Sequence, residues 1–303
     1  MRSETINTQA EQMTFQKKMS VIFELTKFRI TSFVTVTTLF GYICATGAFS
    51  VGMILPIVGI LLLACGAAVV NHFQERTTDA LMDRTKNRPI PSGKISARDA
   101  LNLAMLLIFA GSAMLYLGAG LLALALGLLN LVWYNGIYTP LKKKNAFAII
   151  PGSMVGAIPP AVGWVAGGGL ILDPQILIIS LFFFIWQIPH FWLLLLVFGG
   201  DYEQAGFPTL TQIFSPDQLG RITFMWIVAT VMISLMIPFY GVIKFSFTYA
   251  GLFIIGIWLT WNAVKLLRSS KEKKYFGFAF REINIFAILV ILLVSIDKLV
   301  LIF

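Results

Sequence analysis

Long apolar runs alternate with short polar connections along the whole chain. Runs near 28–48, 53–73, 97–117, 119–139, 148–168, 175–197, 222–242, 246–266 and 282–302 each approach or exceed the roughly 20 residues that cross a hydrocarbon core. They are continuous, whereas barrel strands would show short alternating segments. In lipid only helices and closed barrels satisfy the backbone polar groups. The pattern therefore predicts an all-α polytopic membrane protein, a bundle of about nine transmembrane helices. Within GSMVGAIPPAVGWVAGGG (152–169) the small residues permit close helix packing. Pro159–Pro160 predict a local helix break there, and broken helices in membranes usually line cavities. The polar first 20 residues, with Glu4 and Glu11, are followed by a full-length run. They read as a cytoplasmic tail (1–20) before a single membrane domain (21–303), and as neither a cleavable signal nor a transit peptide.

Composition closes off the other classes. The chain of 303 residues is 58% hydrophobic and 12% charged, with mean hydropathy +0.84. An ordinary soluble domain carries about 25% charged residues, so a water-soluble globule and a disordered chain are both excluded. The net charge of +9 is assigned to loops on the cytoplasmic side rather than to a nucleic-acid partner. With nine spans, 21 of the 23 Lys and Arg residues fall on one side, and only Lys244 and Lys298 on the other. That places the N-terminus inside and the C-terminus outside. The long polar loops share the inner side, so chemistry is expected there. Cys44 and Cys65 lie inside apolar runs and read as packing residues.

The segment NHFQERTTDALMDRTKNRPIP (71–91) carries the strongest chemical signal. Seven charged residues between 75 and 88 would cost on the order of 20 kcal/mol at a bilayer centre, so they belong at the membrane edge or in a wet cavity. Asn71, Glu75, Asp79 and Asp83 recur every four residues and share one helical face. Like charges at that spacing repel, and a divalent cation would remove the repulsion. Mg²⁺ takes hard oxygen ligands, commonly carboxylates together with substrate phosphates. Arg84, Lys86 and Arg88 follow and suit phosphate oxygens, and Pro89 and Pro91 are expected to end the helix. The stripe reads as a diphosphate–Mg²⁺ site; the competing reading is a solvated helix whose charges only fix topology.

Further polar groups lie near the same side. Asp201 and Glu203 follow the sixth run and are candidates for a second metal site, since two ions can clamp a leaving diphosphate. His190, inside that run, is a candidate ligand of a metal or heme iron, an acid–base group, or a hydrogen-bond partner for another helix. His72 opens the acidic stripe. Asn130, Tyr134 and Tyr138 form a polar stripe at four-residue spacing, which Lys142 extends if the helix continues past Pro140; interfacial anchoring is the alternative for the tyrosines.

Several segments together resemble the intramembrane aromatic prenyltransferase (UbiA-type) superfamily and, within it, the protoheme IX farnesyltransferase (heme O synthase) family. They are LTKFRI (25–30), the 71–91 segment, YTPLKKKN (138–145), GAIPPAVGW (156–164), and WQIPHFW with DYEQAGFP (186–208). The RTxxRP pattern and WQIPHF before DYxxAG are the specific ones. The resemblance implies a nine-helix bundle around a central, lipid-open cavity. It implies Mg²⁺-dependent transfer of farnesyl from farnesyl diphosphate to a vinyl group of heme B, a substrate and not a resident cofactor. It further implies a bacterial inner membrane and a downstream heme A synthase or oxidase-assembly partner.

Carried over by position, Asn71, Glu75, Asp79 and Asp201 are the metal ligands, with Tyr138 and Lys142 joining them as catalytic residues. Arg84, Arg88, Lys27, Arg29, Asp83, His190, Tyr134 and Glu203 are the substrate-binding candidates. Three departures stand out: Phe28 where the family usually has proline, Glu75 for a more usual Asp, and Gly200 where an acid often precedes DY. A quinone-precursor prenyltransferase is the nearest alternative. A transporter is the remote one, and would require ionisable groups at span centres and a repeated half.

Overall fold

The computed structural model describes residues 15–268 and 273–300. Among these the secondary structure is helical throughout, and eight helical runs are long and apolar enough to cross a membrane. The principal helices are α1 (Phe15–Leu25), α2 (Phe28–Thr46), α3 (Ile54–Asp79), α4 (Ala97–Val132), α5 (Met154–Ala166), α6 (Pro174–Gln204), α7 (Pro216–Met236), α8 (Ser246–Ala263) and α9 (Lys273–Leu299).

The expected count of about nine crossings survives because α4 is not one rod. Gly120 has φ 78° and ψ −172°, a conformation that glycine adopts without steric cost. Residues 12 apart in a straight helix stand about 18 Å apart. Yet a Cβ placed on Gly127 would lie 2.7 Å from Leu115 Cδ2 and 3.1 Å from Leu63 Cδ1. The run Ala97–Leu141 therefore doubles back at Gly120 into two legs that share α3, close to the break expected between 117 and 119.

The outside of the bundle is apolar. Leu106, Phe109 and Leu117 on α4 are 65%, 74% and 75% exposed, a surface suited to lipid rather than water. The chain is an integral membrane protein. Inside, α2 and α5 approach backbone to backbone, because a Cβ on Gly41 would collide with the Pro160 carbonyl and one on Gly163 with that of Thr38. This small-residue packing was expected of the 152–169 segment, but the break at Pro159–Pro160 is not found. Both prolines sit inside a continuous α5, and the interruption falls earlier, between the short turn Ile149–Gly152 and Met154.

Residues 1–14 lie outside the described residues, and 15–25 form α1; its residues 15–20 are exposed, while Val21 and Leu25 are buried with Val69, Ile90, Ala100 and Ala104. At its end Lys27 takes φ 49° and ψ 46°, the one non-glycine with positive φ among the described residues. This elbow turns Lys27 inward at the head of α2.

The two ends of the bundle differ as the charge count predicts. At one end lie the loops bearing Arg84, Arg88 and Lys142. At the other, Lys244 and Phe245 donate their backbone N–H groups to the buried Asp297 at 2.7 and 3.0 Å.

Candidate functional site

A cavity of about 740 Å³ opens at the charged end and runs into the bundle. Its floor and sides are apolar and aromatic, and its rim is ionic. Asn71, His72, Glu75 and Asp79 on the last turns of α3 all line it and are at most 5% exposed. Charged groups survive at that depth only when paired.

The pairing is one to one. Lys27 Nζ donates to Asn71 Oδ1 at 2.6 Å. Lys142 forms an ion pair with Glu75. Arg88 Nη1 reaches both oxygens of Asp79, at 2.8 and 2.7 Å. Arg84 Nε stands 3.7 Å from Asp201 Oδ2 across the rim. Each of the four expected oxygen ligands is thus held by its own basic residue. Among the described residues no three of His, Cys, Asp and Glu gather closely enough to chelate a metal on their own. The donor set still suits Mg²⁺: one amide and two carboxylate side chains on one face of α3, all oxygen donors.

Burial and neighbouring charges set the two ammonium groups in opposite directions. Burial, aided by nearby Arg88 and Lys142, lowers Lys27 to about 7. Burial alone would lower Lys142 as well, but the Glu75 carboxylate outweighs it and holds this lysine above its ordinary value.

The helix ends at Asp79, ten residues before Pro89, because the chain folds back on it. Thr85 donates its hydroxyl to the Asp79 carbonyl at 2.9 Å and Arg88 takes the side chain. This reversal explains why Asp83, expected beside the substrate, is not there. It falls beyond the helix, its side chain is 77% exposed, and it bonds Lys86 at 2.6 Å outside the cavity. Glu203 is likewise turned away, accepting the hydroxyls of Thr209 at 2.8 Å and Thr211 at 2.5 Å; Tyr202 and Thr209 line the cavity in its stead. Asp201 reaches the rim only through Arg84. Arg29 and Lys27 line the cavity near the head of α2.

The tyrosine stripe is present but is built on a wide turn. Trp133–Tyr138 is π-helical, and the helical path continues through Pro140 to Leu141. Tyr134 and Tyr138 stack at 6.1 Å, Tyr138 lies 6.0 Å from Phe191, and Lys142 Nζ stands 5.6 Å from the Tyr138 ring. A wall of aromatic rings therefore runs inward from the ionic rim.

At the inner end of that wall is His190. Pro189 leaves α6 continuous, and Nδ1 of His190 contacts Asn284 Oδ1 on α9 at 2.8 Å. Asn284 and its neighbour Phe280 were not anticipated from the sequence; a lone amide in the last apolar run was the available signal.

The comparisons with known proteins agree with this architecture. The model of the UbiA prenyltransferase family matches residues 34–286. A protoheme IX farnesyltransferase of Oleidesulfovibrio alaskensis is 32% identical over 276 residues, covering 91% of this chain and 95% of that protein. One from Legionella pneumophila (strain Paris) is 33% identical over 242 residues, covering 78% and 82%. Among solved structures, a digeranylgeranylglyceryl phosphate synthase superposes with TM-score 0.76 at 15% identity, over 93% of this chain and 99% of that one. A UbiA homolog from Archaeoglobus fulgidus bound to GPP and Mg²⁺ gives 0.63 at 13% identity, over 92% and 99%.

The chain belongs to the UbiA prenyltransferase family, whose fold it shares, and within that family it falls with the protoheme IX farnesyltransferases.

Proposed function

We propose that the chain transfers the farnesyl group of farnesyl diphosphate to a vinyl group of heme B in a Mg²⁺-dependent reaction, giving heme O for terminal oxidase assembly. It acts in a bacterial inner membrane, with the ionic rim and N-terminus cytoplasmic and the C-terminus outside. Residues 21–303 form the single prenyltransferase unit.

The observation that carries this reading is the pairing at the rim: oxygen donors on one side, four basic residues on the other, above an apolar aromatic cavity. Asn71, Glu75 and Asp79 are the residues to hold Mg²⁺, and Asp201, on α6, is joined to the rim through Arg84. Bound there, Mg²⁺ supplies Lewis-acid neutralisation of the leaving diphosphate. Lys27, Arg84, Arg88 and Lys142 are the cations that would meet the phosphate oxygens, where charge grows in the transition state. Tyr134, Tyr138 and Phe191 present ring faces to the allylic carbon as it becomes cationic. The apolar walls limit stray water. In the balanced reaction the C1–O bond of farnesyl breaks with its electron pair leaving on diphosphate. The terminal vinyl carbon of heme bonds to C1. Water adds to the neighbouring carbon, and one proton is lost.

Purified protein incubated with heme B, farnesyl diphosphate and Mg²⁺ is expected to yield heme O by mass spectrometry, and EDTA is expected to abolish it. Prenylation of 4-hydroxybenzoate in place of heme would move the chain to a quinone-precursor acceptor.

A further inference from the structure

The heme-binding reading above leaves open how the cavity recognises a porphyrin. His190 answers the geometric requirement. Asn284 Nδ2 donates to the Phe280 carbonyl at 2.6 Å, so its Oδ1 is the atom left to face His190. That oxygen only accepts, so Nδ1 of His190 carries the proton. Nε2 is then the unprotonated nitrogen, and it has no protein partner among the described residues.

The ring is also fixed in orientation. Trp186 and Phe280 cover it, with centroids 4.8 and 5.0 Å away and interplanar angles of 36° and 38°, and Phe191 meets it edge to face at 5.4 Å. Three rings thus pack around the imidazole, which still lines the cavity. A histidine whose far nitrogen is oriented by a second residue is the usual arrangement for binding a metal through the near one.

The position fits as well. Glu75 pairs with Lys142, Lys142 lies against Tyr138, Tyr138 against Phe191, and Phe191 against His190. His190 is thus two aromatic rings inward from the diphosphate-binding rim. A porphyrin centred there has its edge toward the ionic groups, where the vinyl carbon must meet C1 of farnesyl. His72 fails the same test: no side chain orients its ring through a hydrogen bond as Asn284 orients His190, and it sits beside Asn71 at the rim.

We propose that His190 binds the iron of the heme B substrate through Nε2, with Asn284 as the positioning residue that fixes the ring. This rests on the heme-farnesylation reading and adds the means of acceptor selection: iron ligation as well as porphyrin shape.

The test is binding of ferric heme B and of metal-free protoporphyrin IX to the purified protein without farnesyl diphosphate. Absorption and electron paramagnetic resonance spectra report the iron ligand. Wild type is expected to prefer heme B by ~10-fold or more and to show nitrogen ligation. His190→Ala is expected to lose both the preference and the spectrum, to regain the spectrum with added imidazole, and to keep its protoporphyrin affinity. Asn284→Leu retains His190 and is expected to weaken heme B ~10–100-fold with protoporphyrin unaffected. His72→Ala is expected to leave the spectrum unchanged.

An unaltered spectrum and preference in either His190→Ala or Asn284→Leu overturns the proposal. If wild type makes heme O while its bound iron lacks a His190 signature, ligation fails and the activity stands. If wild type neither binds heme B nor farnesylates it, the underlying reading fails first.

Discussion

Replacing Arg88 by Gln separates the two halves of the rim. Asp79 is fully buried, and Arg88, with a side chain 19% exposed, is the cation that holds it. Breaking a buried ion pair from one side costs about 3–5 kcal/mol, because the remaining charge stays buried and uncompensated. Partial exposure of Arg88 to the cavity lowers that figure, so the ligand-free variant should lose about 2–4 kcal/mol. The vacated carboxylate is then a better place for a divalent cation. Mg²⁺ at 100 times its dissociation constant returns about 2.7 kcal/mol. Diphosphate loses one charge-assisted contact worth about 1.5–3 kcal/mol, a rise in KM for farnesyl diphosphate of about 10- to 100-fold. The variant should therefore respond more strongly than wild type to Mg²⁺ alone and more weakly to diphosphate. Thermal unfolding in detergent with Mg²⁺, with inorganic diphosphate, and with both reads the two effects separately. Equal stabilisation of Arg88→Gln and wild type by Mg²⁺ would show that Asp79 does not receive the ion, and the exchange argument would fail.

Four other outcomes follow from the same geometry. Asp79→Asn keeps the side-chain size and the Thr85 contact to its backbone carbonyl, so it should insert normally yet lose about 10²–10³ in kcat/KM, measured by heme O formation. Arg84→Ala removes a 3.7 Å, half-exposed contact with Asp201; it should cost under about 1 kcal/mol of stability but raise KM for farnesyl diphosphate. Asp297→Ala, at the far end of the bundle, strips acceptors from Lys244 N, Phe245 N and Thr248 Oγ1. It should lower stability by about 3 kcal/mol with KM unchanged. Gly163→Ala drives a methyl into the Thr38 carbonyl, and should destabilise by about 1–3 kcal/mol in thermal unfolding.

The local regularities were legible in the sequence, and the long-range partners were not. Four-residue spacing correctly placed Asn71, Glu75 and Asp79 on one buried face, because all three lie within α3. The same rule failed at Asp83, one turn later, because Thr85 and Arg88 fold the chain back at Asp79 and the helix is over. Glu203 failed for a similar reason: its oxygen is captured by two threonines of the next turn, a contact that spacing does not encode. The proline pair at 159–160 reads as a break in isolation, yet tight packing of α5 on α2 through Gly41 and Gly163 accommodates it within a continuous helix. The reversal at Gly120 was visible only as a gap in hydropathy. Which base holds which acid, and that Asn284 meets His190 from 94 positions away, are facts of tertiary contact.

The pairing at the rim also explains how so many ionisable groups can sit at the edge of a bilayer. Arg84, Arg88 and Lys142 pair with Asp201, Asp79 and Glu75, and Lys27, lowered to about 7 by burial, donates to Asn71, so the ligand-free site carries at most about one net positive charge and each group has a partner to offset its loss of water. A prenyl diphosphate that arrives with Mg²⁺ carries about one net negative charge, complementary to that rim. On the proposed reading, binding would trade one set of ion pairs for another: carboxylates would pass from ammonium and guanidinium to the metal, and those cations to phosphate. Little net charge is moved into the membrane edge, so most of the Coulomb energy remains available for the step in which diphosphate departs. A rim of carboxylates alone would need metal to be stable at all, and a rim of cations alone would hold diphosphate but leave Mg²⁺ no oxygen ligands from the protein. The alternation of acid and base around one cavity mouth serves both the empty and the loaded state.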